Sequence, residues 1–376
     1  MKRTSVIILA GMLLGLGLGC PGTVAPPDGG DPTVDGNRDP ADPQPGEPNG
    51  AFALAIPATF NTAGVARLQG TVEQVGDLDV YDLGPLGAGD RLVVEAYAFS
   101  SSLDVTVALF DSDERLVINN DDRDDGRSLD ALVDFIVRHG SNAYYLVVSN
   151  SPFGSTRTLT GGYRVDVEVS SGLGVPPPAR QTIVLDFDGA NVDSPVLGTF
   201  ALAPFNAADV STFYEGDTET VKSRIREIFA QDYERFDIVV LTSDDPAPPP
   251  GTPFTTIFLG GFDPNLFGIA EDVDLYDLER CDDAIIYTES FSPAVFSRTP
   301  SAEELGTAIG NVAAHEAGHL LGLNHTDDDL DIMDDSSPAD AFLQDQEFTI
   351  APLSGDIIPI GQQDGVLLLN EIVGPR

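Results

Sequence analysis

The chain contains four histidines in 376 residues, and three of them, His315, His319 and His325, fall inside eleven residues of the string AAHEAGHLLGLNH (313–325). This clustering constrains the fold more than any other feature, because three imidazoles so close in sequence meet in space only if the backbone follows one path. The stretch SAEELGTAIGNVAAHEAGHLLG (301–322) opens with Ser301 and has Glu304 three residues later, a capping-box start that places the cluster at the C-terminal end of a helix. Four helical residues turn the chain by about 400° and advance it about 6 Å, so His315 and His319 project from one face. Glu316 lies about 100° around from His315. A straight continuation would leave His325 nearly two turns away. Gly322 supplies the alternative: a glycine there can take the left-handed conformation that ends a helix, and a chain that turns back can bring His325 to the same point. Three imidazoles with one position left open form the usual donor set of a catalytic zinc ion. Glu316 stands where its carboxylate can approach a ligand of that ion without binding the ion itself.

The string fits H-E-x-x-H-x-x-G-x-x-H at every specified position and resembles the metzincin superfamily of zinc endopeptidases. Met333, in DLDIMDD, stands eight residues past His325, and the other two methionines lie in the first twelve residues. The resemblance spans about residues 181–340. It implies one catalytic Zn²⁺ held by His315, His319 and His325, a helix-terminating turn at Gly322, and Met333 beneath the metal in a Met-turn. It also implies that Glu316 is the catalytic base, taking a proton from metal-activated water and passing it to the departing amine. Two positions depart from the familiar patterns. Asp335 stands two residues after Met333, where some metzincins have a tyrosine, and His325 is followed by Thr326 and three aspartates, which leaves the subfamily open. Asp327–Asp329 read either as acceptors for a histidine N–H or as a solvated acidic loop.

The rest of residues 181–376 reads as α/β (α+β). TIVLDFDG (182–189), DIVVLTS (237–243), FTTIFLGG (254–261) and DDAIIYTES (282–290) read as strands. DTETVKSRIREIFAQDYERF (217–236) carries apolar residues at helical spacing. FGIAE (267–271) is the candidate edge strand along which an extended protein or peptide substrate would pair. The tail after 350 reads as folded, without an assigned role.

Upstream, residues 51–171 alternate in short β-rich runs separated by Gly, Asp, Ser and Asn, the texture of an antiparallel sandwich. GDLDVYDLGPLGAGDRLVVEAYA (76–98), LDVTVALFDSDERLVINNDD (103–122), NAYYLVVSN (142–150) and GGYRVDVEV (161–169) resemble the bacterial pre-peptidase C-terminal domain. The carboxylates of NNDDRDDG (119–126) read either as solvated turn acids or as oxygen ligands for Ca²⁺. His139 reads as a surface-loop histidine. GLGVPPPAR (172–180) is a linker, since three consecutive prolines cannot continue a ladder.

The N-terminus, MKRTSVIILAGMLLGLGLGC (1–20), has a basic start at Lys2 and Arg3 and an apolar run from Val6 to Leu18 that is short for a membrane span, as in an export signal. Leu18-Gly19-Cys20 resembles the lipobox of bacterial lipoproteins, although Gly17 stands where that family usually has leucine. The resemblance implies lipidation at Cys20 and attachment to the outer membrane or cell surface. An ordinary cleaved signal is the alternative. With Cys20 acylated, Cys281 reads as a small buried residue without an intramolecular partner. Residues 21–50, rich in Pro, Gly and Asp, read as a disordered tether.

The formal charge of −42 excludes nucleic acid as a partner and attracts divalent cations. The expectation is a multidomain protein, an all-β sandwich followed by a metzincin-like catalytic domain, acting as an exported, lipid-anchored zinc endopeptidase. The rival is a surface binding or adhesion lipoprotein with a non-catalytic zinc domain.

Overall fold

The computed structural model describes residues 47–376 except 100–102, 124–129, 153–158, 195 and 275. The expected signal, the lipidation site Cys20 and all but the last four residues of the expected tether lie outside the described residues. Among those described, the chain divides into two units, 47–176 and 177–376.

In the first unit the strands are β1 (Ile56–Pro57), β2 (Val65–Val72), β3 (Asp79–Leu86), β4 (Arg91–Ala98), β5 (Val105–Phe110), β6 (Leu116–Asn120), β7 (Leu132–Ile136), β8 (Ser141–Asn150) and β9 (Gly161–Ser170). They form two sheets, ordered β1-β3-β8-β5-β6 and β2-β9-β4-β7. Strand β4 alternates between buried Leu92, Val94 and Ala96 and half-buried neighbours, so one face of its sheet is covered. All six residues of β5 are buried. His139 is not a bare surface histidine: its Nε2 lies 3.5 Å from Asp111 Oδ2, and its carbonyl accepts from the Tyr144 hydroxyl at 2.6 Å.

The second unit is built on a five-stranded sheet ordered β13-β10-β14-β16-β15. Its elements, in chain order, are β10 (Gln181–Asp186), β11 (Asn191–Ser194), β12 (Gly198–Ala201), α1 (Ala207–Val210), α2 (Thr218–Asp232), β13 (Ile238–Thr242), β14 (Thr255–Leu259), β15 (Gly268–Ala270), β16 (Asp283–Ile286), α3 (Ala302–Leu320), β17 (Ile350–Pro352), β18 (Gln362–Asp364) and α4 (Gly365–Ile372). Strands β13, β10, β14 and β16 run parallel, and β15 returns antiparallel to β16 with Ile269 opposite Ile285. The β-branched runs IVL, IVVL, TIFL and AII suit strands covered on both faces.

Helix α3 packs on β15, β16 and α2. Its capping box is complete, with Ser301 Oγ accepting from Glu304 N–H and Glu304 accepting from Ser301 N–H. Every residue from Leu305 to Leu320 is buried. A helix so enclosed carries apolar residues all round, and each Leu or Ile it buries stabilises the fold by about 1.5–3 kcal/mol. Two buried polar groups along it are tied down. Asn311 Nδ2 donates to the carbonyls of Phe342 (2.9 Å) and Gln344 (2.6 Å), and the Tyr233 hydroxyl donates to the Ala314 carbonyl at 2.8 Å.

Cys281 is disulfide-bonded, which corrects the expectation of an unpartnered thiol.

Candidate metal centre

The site begins where α3 stops. Leu323 N–H donates to the Gly318 carbonyl at 2.9 Å and Gly322 N–H to the His319 carbonyl at 2.8 Å, a Schellman ending with Gly322 at φ 89°. A Cβ at Gly322 would lie 2.6 Å from the Asp274 carbonyl oxygen, so both the conformation and the space require glycine. The turn brings His325 back over the helix.

His319 Nε2 lies 3.0 Å from Nε2 of His315 and 3.0 Å from Nε2 of His325. The opposite nitrogens fix the tautomers. His315 Nδ1 meets the Ile332 carbonyl at 2.7 Å, and His319 Nδ1 meets the Leu323 carbonyl at 2.8 Å. A carbonyl only accepts, so both Nδ1 atoms carry the proton and both Nε2 atoms present bare lone pairs. His325 Nδ1 lies 3.3 Å from Asp335 Oδ2, which selects the same tautomer. Three lone pairs at this separation repel unless a cation sits among them. Nitrogens about 2.0–2.1 Å from one tetrahedral ion stand about 3.3 Å apart, close to this spacing. Burial lowers His315 to about 3 and holds His319 and His325 well below the usual imidazole range. Neutral imidazole is the form that binds metal. Among the described residues this is the one group of three or more His, Cys, Asp or Glu side chains whose ligand atoms converge. The donor set fits zinc.

Glu316 is fully buried beside the triad, and neither carboxylate oxygen has a hydrogen-bond partner of normal geometry. Burial pushes its carboxyl well above the ordinary range, with the Ala270 backbone amide offsetting only part of the effect. An orphaned buried carboxylate requires an explanation, and a polar ligand held between it and a metal provides one. Met333 is also fully buried. A Cβ at Gly318 would lie 3.2 Å from Met333 Cε, so the methionine packs directly against the helix between the first two histidines.

Several positioning groups escaped the sequence reading. Asp331 Oδ1 accepts from Met333 N–H (2.8 Å) and the Thr326 hydroxyl (3.1 Å), and Oδ2 accepts from Thr349 N–H (2.8 Å) and its hydroxyl (2.6 Å). One buried carboxylate thus staples the methionine turn to the residue after His325. Exposed Asp327 and Asp329 do not reach a histidine: they accept from the Ser336 and Ser337 hydroxyls. The histidine acceptor is Asp335, the residue in the tyrosine position. The unassigned tail also closes on the site. Gln363 on β18 accepts from Asn324 N–H at 2.8 Å and donates to the Asn324 carbonyl at 2.8 Å, while Ser354 N–H donates to the His325 carbonyl at 3.0 Å. No local motif announces these partners, because each comes from about thirty to forty residues downstream.

The calcium candidate of 119–126 lies partly outside the described residues. Of its described members, Asp121 is buried and accepts from the Ser151 hydroxyl at 2.6 Å.

Asp335→Asn tests the orienting contact to His325. An amide keeps the size and removes the charge, so zinc affinity measured against a competing chelator should fall about 10–100-fold. Unchanged affinity would show that Asp335 does not orient the third imidazole.

Comparison with known proteins places the chain as follows. The family model described as Peptidase_M10: Matrixin matches residues 87–350. No curated protein matches the chain. Among solved structures the chain is similar to archaemetzincin from Methanopyrus kandleri (14% identity, 45% of this chain and 87% of that chain, TM-score 0.26). It is also similar to the pre-peptidase C-terminal domain of collagenase from Bacillus anthracis (16%, 34% and 100%, 0.23) and to PliG, a periplasmic lysozyme inhibitor from Aeromonas hydrophila (19%, 31% and 96%, 0.24).

Proposed function

The chain belongs to the matrixin family of zinc metallopeptidases, and on that premise we propose that it is an exported endopeptidase in which His315, His319 and His325 hold the metal and Glu316 is the catalytic base. The observation that carries this reading is the convergence of three Nε2 lone pairs, 3.0 Å apart along the two His319 contacts, together with the buried, unpartnered carboxylate of Glu316, the residue that follows His315 in α3. When bound, zinc supplies a Lewis acid that polarises the scissile carbonyl and lowers the pKa of a water molecule. Glu316 takes a proton from that water and delivers it to the leaving amine. Gly322 and the Asn324–Gln363 pair hold His325 in place, and Asp335 keeps its Nδ1 protonated so that Nε2 stays a donor. Among the described residues strand β15 lies at the sheet edge and pairs only with β16, and an extended substrate would add to it by backbone hydrogen bonds.

Export is supported by the basic and apolar N-terminus and by the disulfide at Cys281, since disulfides persist in oxidising compartments. The lipid anchor proposed at Cys20 is tested by mass spectrometry of the mature N-terminal peptide: acyl chains support it, and a peptide without them overturns it.

Cleavage of casein or gelatin, abolished by 1,10-phenanthroline and restored by zinc, tests the central reading. A protein that binds zinc stoichiometrically and cleaves neither would favour the binding lipoprotein, in which the β-sandwich carries the function.

A further inference from the structure

We infer that Gly268 is a positioning residue for Glu316, its missing side chain forming the socket that receives the carboxylate. The inference rests on the reading of Glu316 as the base. Along β15 the buried residues are Gly268 and Ala270, with half-buried Ile269 between them. Side chains alternate across a strand, so positions 268 and 270 share the face turned to α3. A Cβ at 268 would lie 2.7 Å from Glu316 Cγ and 2.8 Å from its Cδ, and nearest of all to Oε1. Gly268 is not among the positive-φ glycines, so its backbone accepts alanine and only the space forbids it. Glu316 has no exposed surface through which to relieve the clash. Its carboxylate must therefore leave its place. The edge strand thus does two jobs: it offers its outer side to substrate and fixes the base with its inner side, tying proton transfer to substrate register.

A double-mutant cycle on the full chain tests this. A contact below 3 Å must open by roughly an ångström, and a misplacement of that size costs about 10²-fold. Gly268→Ala should lower kcat by about that factor while KM and zinc affinity stay within a few-fold, because no zinc ligand lies on β15. Glu316→Asp draws the carboxylate back by one methylene and out of reach of the new methyl group. In the Glu316→Asp background the added Gly268→Ala change should therefore cost much less than it does in the wild type. A kcat for Gly268→Ala within twofold of wild type, or losses that simply multiply, would overturn the inference. If Gly268→Ala is too unstable to assay, the cycle is read on Tm and folded yield instead. Glu316→Asp restoring the fold supports the contact, and no restoration overturns it. Full activity of Glu316→Gln would instead remove Glu316 as the base and leave the steric cycle on Tm intact, so the two failures are distinguishable.

Discussion

Glu316→Gln keeps its zinc and loses its turnover. The substitution is nearly isosteric and leaves all three Nε2 donors in place, so metal content after dialysis should match the wild type. What disappears is a group able to take and return a proton, and such groups contribute about 10²–10⁴-fold. The loss should fall on kcat, with KM little changed, because Glu316 is buried and offers substrate no binding surface. Peptide hydrolysis by the zinc-loaded variant at more than about a tenth of the wild-type rate would assign the base elsewhere.

His325→Ala produces the opposite pattern: the metal goes first. Two donors remain on α3, and the open side of the site now admits solvent in place of a fixed imidazole. Losing an outer partner costs about 10–100-fold in affinity, and losing a ligand should cost more. Zinc should be stripped by concentrations of chelator that leave the wild type loaded, and activity should follow metal content. Thermal unfolding should be lowered as well in zinc-containing buffer, since an ion that binds only the folded chain stabilises it. Retention of stoichiometric zinc in this variant would break the three-histidine assignment.

How much of this was legible beforehand differs by length scale. The helix, its capping box and the turn at Gly322 are local, and 301–325 spells them out in order. The four parallel strands are also local, as β-branched runs between breakers. The supporting layer is not local. Asp331 bonds to Thr349, Asn324 to Gln363 and His325 to the chain around Ser354, and nothing in those strings marks them as partners. Asp327–Asp329 follow His325 closely enough to read either as histidine acceptors or as a solvated acidic loop, and the exposed backbone there makes them the loop, while Asp335 stands beside His325. Gly268 was equally silent, since a glycine in a short edge strand reads as a weak strand former until its neighbour across the fold is known.

The Gln363 pair with Asn324 has a consequence for processing. His315 and His319 are held by the helix, whereas the segment carrying His325 is also held from beyond residue 350, by Gln363 on Asn324 and by Ser354 N–H on the His325 carbonyl. A proteolytic cut ahead of 350 would leave the helix grip intact and loosen the segment that carries His325, weakening the third of three holds. The C-terminal end would then act as a latch whose loss silences the centre without touching a single ligand.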